Sequence, residues 1–426
     1  MNKKLLAALA LTAVTGAAQA DVTLYGVIDL AVGNIQHSLS GSPTTTGTVD
    51  PVDPLKNTVV GGVNGMFNGG ISASRWGIKG TEDIGNGLKA VFTLESGIDA
   101  NSGNVSSAAA ALSANAPTPN QAAAPSSING QLFNRQAWAG LSDAKLGTLY
   151  FGRVYAPEFD IVAAYDPVQA AQLFSPLAFS GSLGGGGGYT EDLRNDNTVR
   201  YSNKIGDVNV GGMYKFGNVA GNNSARQGWA LNAGYEAGKF GVQAAYQSFN
   251  DVLHPGSTST SAPASPALTA GTIAVTEANT RNYMLAAKYK VTDAGTVKAG
   301  YEHITLSTAS DINTTSTVGT YYGYTIGSVG NIGASRNQDV YWFGGDYNVT
   351  PAINLAIGYY DYSYSQSGDS KQLNGDQRYY SFLADYSFSK RTDVYFGVMQ
   401  ANFSGPQLAA YMGSNNITAI GMRHRF

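Results

Sequence analysis

The chain has 426 residues, a formal net charge of −3, only 13% charged residues, 53 glycines and no cysteine. That balance excludes a generic nucleic-acid binder, which needs a basic excess, and the missing thiols exclude disulfides, thiolate metal sites and a cysteine nucleophile. Sparse charge beside 26 Tyr, 16 Phe and 4 Trp is equally unlike a disordered composition.

In chain order, Lys3 and Lys4 form a positive start, residues 5–14 an apolar run, and Ala18-Gln19-Ala20 a small-residue cleavage signal before Asp21. This pattern reads as a secretory signal peptide over 1–20. No later stretch reads as a spanning helix. Residues 21–426 are therefore expected to form an exported single domain without a helical anchor.

From Asp21 onward the dominant period is two. In 208–216, Val208, Val210, Tyr214 and Phe216 share one face, while Asn209, Gly211 and Lys215 share the other. Ile353, Leu355, Ile357 and Tyr359 alternate in the same way with Asn354, Ala356, Gly358 and Tyr360. Each is a strand with one greasy face and one small or polar face. Sixteen such segments are predicted, near 22–34, 71–83, 88–97, 132–141, 146–153, 197–204, 207–216, 228–236, 240–248, 281–290, 296–304, 338–348, 352–363, 377–387, 392–400 and 416–426. Short connections such as DIGNG (83–87) and EAGK (236–239) alternate with long ones, at 35–70, 98–131, 154–196, 249–280, 305–337 and 364–376. The expected fold is all-β: a 16-stranded antiparallel transmembrane barrel with short periplasmic turns and long extracellular loops.

A lipid-facing sheet must pair every backbone group, which closure achieves. Near sixteen strands the interior is too wide for side chains to fill, so a water-filled channel is expected. The second strand agrees: Arg75, Gly77, Lys79 and Thr81 share a face opposite Ser74, Trp76, Ile78 and Gly80. Alternating buried cations would not survive in a dry core. Tyr25, Trp76, Trp138, Tyr289, Tyr359 and Phe426, all near strand ends, are expected to contribute to interfacial aromatic girdles.

Four blocks then carry a family likeness. TLYGVIDL (23–30), SRWGIKGTEDIGNGLKAVFTLESG (74–97), LFNRQAWAGLSD (132–143) through FGRVYAPEFD (151–160), and SKRTDVYFGV (389–398) with GMRHRF (421–426) resemble the general porins of beta-proteobacterial outer membranes. The resemblance implies a homotrimer of sixteen-stranded barrels that passes small hydrophilic solutes and ions by diffusion. Outer-membrane lipid and lipopolysaccharide would surround it. A terminal Phe426 implies the barrel-assembly machinery as a partner. The family's third long loop, here 154–196, folds inward to narrow the pore. Its acids would be Glu158, Asp160 and Asp166. The facing cations would be Arg75, Arg135 and Arg200, with Lys79 on the same wall; Arg153 either lines the pore or anchors the loop. Such a transverse field biases ion choice, and an anion-leaning channel is expected.

Two features depart from the family pattern: glycines at 184–188, and the Ala/Pro/Ser-rich insertion at 106–127. No Lys-Ser or Lys-Thr follows the glycine run, so it is not read as a phosphate cradle. His37, His254, His303 and His424 show no ligand spacing, and no GxSxG elbow or HExxH motif occurs. Neither a metal, a cofactor nor catalysis is expected. Two alternatives stay open, a solute-specific channel and an adhesin acting through its loops.

Overall fold

The computed structural model describes residues 21–38, 62–105, 132–178, 193–255, 272–310, 320–321, 324–331, 335–366, 374–404 and 414–426. The expected signal peptide, the 106–127 insertion and the glycine run lie outside the described residues.

The alternating segments form one sheet, antiparallel except where 324–331 runs parallel to 272–277. Its strands are β1 (Asp21–Ser38), β2 (Gly62–Asn68), β3 (Arg75–Gly85), β4 (Leu88–Asp99), β5 (Asn104–Val105), β6 (Gln136–Asp143), β7 (Gly147–Tyr155), β8 (Arg194–Ile205), β9 (Val208–Lys215) and β10 (Gly228–Ala237). They continue as β11 (Phe240–Pro255), β12 (Thr272–Lys290), β13 (Gly295–Thr308), β14 (Thr320–Tyr321), β15 (Tyr324–Asn331), β16 (Arg336–Thr350), β17 (Ile353–Gln366), β18 (Gly375–Ser387), β19 (Thr392–Ser404) and β20 (Ser414–Arg425). Sixteen of them make the closed barrel. The short β2, β5, β14 and β15 lie in the long connections, where the sequence shows no clear alternation.

Closure runs through β1, which pairs with β20 from Val27↔Arg425 to Ser38↔Ser414 and with β3 from Asp21↔Thr81 to Val27↔Arg75. The two chain ends lock together: Gly26 and Phe426 exchange backbone N–H···O bonds of 3.1 Å. The Phe426 ring lies over Gly26 so closely that a Cβ there would come within 2.3 Å of it. At the short-turn end, Asn86 and Gly87 both take positive φ, 55° and 84°, which suits the tight β3–β4 hairpin.

The second barrel strand starts at Arg75, four residues later than the alternation predicts. Residues 69–74 break from the ladder because Asp29 captures their backbone: its carboxylate accepts N–H bonds from Gly70 (3.0 Å), Ile71 (3.1 Å) and Ser72 (2.7 Å). A buried carboxylate with three such donors outcompetes ladder pairing at this point.

Outward-facing side chains are apolar and exposed, as with Leu24 (60%), Phe343 (61%) and Ile420 (62%). A continuous belt of this kind is explained by lipid contact. Aromatics gather at both margins. Tyr235, Phe240, Tyr289, Tyr347 and Tyr386 lie near the short turns. Towards the long loops, Trp229–Tyr246, Tyr301–Tyr341 and Tyr359–Tyr380 form ring contacts of 5.1, 4.8 and 5.3 Å. Tyr25 and Trp138 correct the sequence reading. Both turn into the lumen, where the Tyr25 hydroxyl donates to Glu95 (3.0 Å) and the Trp138 indole N–H to Gln136 (3.0 Å).

After β7 the third long connection enters the barrel. Its helix α1 (Pro157–Tyr165) has proline in its first turn, with Glu158 and Asp160 also in that turn, where negative charge suits the helix dipole. Pro167 follows the extended Asp166 and ends it. A nine-residue helix is not stable alone; burial of Ile161, Val162 and Tyr165 holds it. Beyond it, Val168, Leu173, Phe174 and Leu177 join wall residues Trp342, Tyr360, Tyr395 and Met399 in one apolar core. Part of the lumen is thus dry and filled.

Candidate functional site

The sequence-predicted cations gather on the wall built by β3, β6, β7 and β8. Arg135 Nε lies 2.6 Å from one Glu95 oxygen, and Arg75 Nε 3.5 Å from the other. Glu95 faces Gln136 and Gly77 in the ladder, so Arg135, one residue before Gln136, and Arg75, two residues before Gly77, both reach it. Arg75 keeps 28% of its side chain exposed, whereas Arg135 is almost wholly buried. Arg153 ties the base of the loop: its Nε donates to the Asn134 carbonyl (2.9 Å), and its Nη1 pairs with Asp196 (2.7 Å). Arg200 donates to the Tyr155 carbonyl (2.7 Å) and pairs with Asp160.

Arg194 joins this group, although the sequence reading passes over it. It opens the RNDN run (194–197), ahead of the strand predicted from 197. The bulge at Asn197 (φ 55°) lets the strand begin earlier while re-aiming its first side chains. Arg194 is 1% exposed, its guanidinium carbon 5.1 Å from the Tyr155 ring centroid. Among the described residues no carboxylate forms an ion pair with it. Buried nitrogens of Arg135, Arg153, Arg194 and Arg200 also lack hydrogen-bond partners. Among the described residues, five guanidinium groups therefore face three carboxylates, Glu95, Asp160 and Asp196.

The loop acids separate. Asp160 alone turns to the lumen, with 55% of its side chain exposed. Glu158 points behind α1, where Gln247 and Asn282 donate to it, Asn282 at 2.6 Å, and Asn282 also reaches Glu302 at 2.7 Å. Asp166 is fully buried; Tyr360 donates to it at 2.6 Å, and so does the Ala170 N–H. Burial pushes the Asp166 carboxyl above the usual range, against the pull of those hydrogen bonds. Further ties fix the same stretch to the far wall: Lys298 Nζ to the Asp166 carbonyl (3.0 Å), Trp342 Nε1 to the Tyr165 carbonyl (3.2 Å) and the Leu173 N–H to the Gly70 carbonyl (2.9 Å). Lys79 lies four residues along β3 from Arg75 towards the short turn, exposed in the lumen. Between α1 and β8–β11 a polar recess of about 360 Å³ opens, lined by Asp160, Arg200, Lys204, Asn232 and Glu236.

A closed barrel with an apolar outer belt, an arginine-rich lumen and a loop folded across it is the architecture of outer-membrane porins. Residues 6–406 match the Gram-negative porin family, and the chain belongs to it. It is similar to an outer membrane porin protein of Bordetella pertussis, 35% identical over 206 residues that cover 47% of this chain and 44% of that protein. Outer membrane porin protein 32 of Delftia acidovorans is 29% identical over 217 residues, half of each chain. The match thus spans about half the length of these curated relatives. The fold is that of the anion-selective porin from Comamonas acidovorans (TM-score 0.64, 20% identity, 96% of this chain and 100% of that one). OmpT of Vibrio cholerae, described in a trimer form, is similar at TM-score 0.57 and 14% identity, over 96% of this chain and 99% of that one. A porin is a channel rather than an enzyme.

Proposed function

We propose that the chain forms a water-filled pore for passive diffusion of small hydrophilic solutes and ions, with a preference for anions. The observation that carries this is the charge imbalance at the narrowed level: among the described residues five arginines stand against three carboxylates, and of Glu158, Asp160 and Asp166 only Asp160 turns to the lumen. An anion about 6 Å from one uncompensated guanidinium gains roughly 0.7 kcal/mol even at the dielectric of water, about a three-fold preference. Low-dielectric walls raise that figure. In this reading 1–20 is a removed leader, 21–426 the barrel domain, and 154–196 the constricting loop. Arg75, Arg135, Arg200 and Lys79 act on passing ions; Arg153, Glu158 and Asp166 hold the constriction in shape. Three copies assemble, as the trimer form of the Vibrio cholerae neighbour suggests, within a bilayer of lipid and lipopolysaccharide. Phe426 serves as the signal to the barrel-assembly machinery.

The test is the reversal potential of the purified protein in a planar bilayer under a KCl gradient. Arg75→Glu/Arg135→Glu is expected to move it towards cation preference. An unchanged reversal potential would remove these residues from the ion path.

A further inference from the structure

Most wall positions beside the constriction carry what a wet pore needs. Just towards the short turns, for example, Ser142 and Thr148 hydrogen-bond each other at 2.8 Å. Trp138 breaks this pattern. It points inward from β6, and its ring contacts that of Tyr150 on β7 at 4.9 Å between centroids, tilted 41°. Both rings are only half-buried. Tyr150 is steadied from its other side by Arg200, whose guanidinium carbon lies 5.7 Å from the ring centroid. The indole N–H is already taken by Gln136, so Trp138 offers the lumen a π surface and no donor.

The ladder sets a cation in the same row. Trp138 pairs with Thr93, and Thr93 with Lys79. Indole, small hydroxyl and ammonium therefore stand side by side on β6, β4 and β3, about 5 Å per strand step. Lys79 is exposed and, among the described residues, forms no ion pair; its Nζ rests 5.5 Å from the Tyr25 ring centroid. The row sits roughly 7 Å below Glu95 towards the short turns, by strand rise. A solute leaving the arginine level meets it next.

We propose that Trp138, Thr93 and Lys79, backed by Tyr150, form a transit site for aromatic monocarboxylates. A benzoate-sized ring lies over Thr93 with its face or edge against the indole, and its carboxylate reaches the Lys79 ammonium. An aliphatic carboxylate keeps the charge contact but loses the ring contact, which is what distinguishes aromatic from saturated acids here. This rests on the pore reading above and adds a solute class to it.

The experiment compares potassium benzoate with potassium cyclohexanecarboxylate, equal in charge and similar in size, as current carriers in planar bilayers. KCl currents are recorded first; their absence would strike the pore reading itself. In the wild type, benzoate current is expected to saturate at a concentration about five-fold lower than cyclohexanecarboxylate current. Trp138→Leu should erase that difference. Lys79→Gln, at an exposed site that the fold does not depend on, should raise the half-saturation for both acids while leaving their ratio. Phe151→Leu, on the lipid side of the neighbouring strand, controls for general effects on the barrel. Identical saturation of the two acids in the wild type would overturn the proposal. So would benzoate saturation that survives both lumen variants.

Discussion

Removing the anchor of the inserted loop should open the pore without melting the barrel. Asp166 is the most heavily used anchor: fully buried, it accepts from Tyr360 and from the Ala170 N–H. Tyr360→Phe removes one hydrogen bond to a carboxyl, about 1.5–3 kcal/mol. Asp166→Ala strands both donors, about 2–6 kcal/mol together at 1–3 per buried group. Against this, Ile161, Val162, Phe174 and Leu177 are buried against the wall, about 1.5–3 kcal/mol each and some 6–12 in sum. The single variants therefore loosen the loop but leave it seated. Asp166→Ala/Phe174→Ala adds a core truncation of about 3–5 kcal/mol and brings the combined loss level with the apolar contribution. Single-channel recording should show added open-channel noise for Tyr360→Phe and Asp166→Ala. The double variant should show a clearly larger conductance. The thermal transition of the barrel in detergent should stay in place, because no ladder bond is touched. A double variant with wild-type conductance and noise would refute the claim that these contacts hold the constriction.

Two further outcomes follow from the same geometry. Glu95→Gln removes the carboxylate shared by Arg75 and Arg135, so anion preference should rise by about three-fold while stability falls by about 3–5 kcal/mol; reversal potential and thermal melting should thus move in opposite directions. Phe426→Ala keeps the backbone bonds to Gly26 and should melt close to the wild type once purified, yet yield much less assembled barrel in cells; equal losses in refolding and in cells would assign the ring a purely structural role.

Strand number, closure and the inward face of Arg75 and Lys79 are legible in the sequence because alternation with period two fixes which side chains share a face. Arg135 does not follow from it: period two would set it on the face of Ala137 and Leu141, and it reaches Glu95 because it lies just ahead of β6, so only the family likeness points to it. What the pattern misses depends on long-range contacts. Trp138 and Tyr25 look like girdle residues by type, and only their register opposite Thr93 and Gly77, with partners at Gln136 and Glu95, turns them to the lumen. The loop acids are alike in sequence, but α1 turns Asp160 to water and Glu158 to the wall, a split set by helix rotation. Asp166 is fixed by Tyr360, distant along the chain. Arg194 is hidden by a bulge that no local signal announces.

The central claim is that one polypeptide encloses an anion-leaning aqueous pore. Single-channel recording of the purified protein across a KCl gradient tests it most directly. The account predicts stepwise openings with a reversal potential on the chloride side, declining towards zero as ionic strength rises and screens the arginines. Bilayers that contain the protein but carry no current, or a reversal potential on the potassium side at low salt, would contradict it.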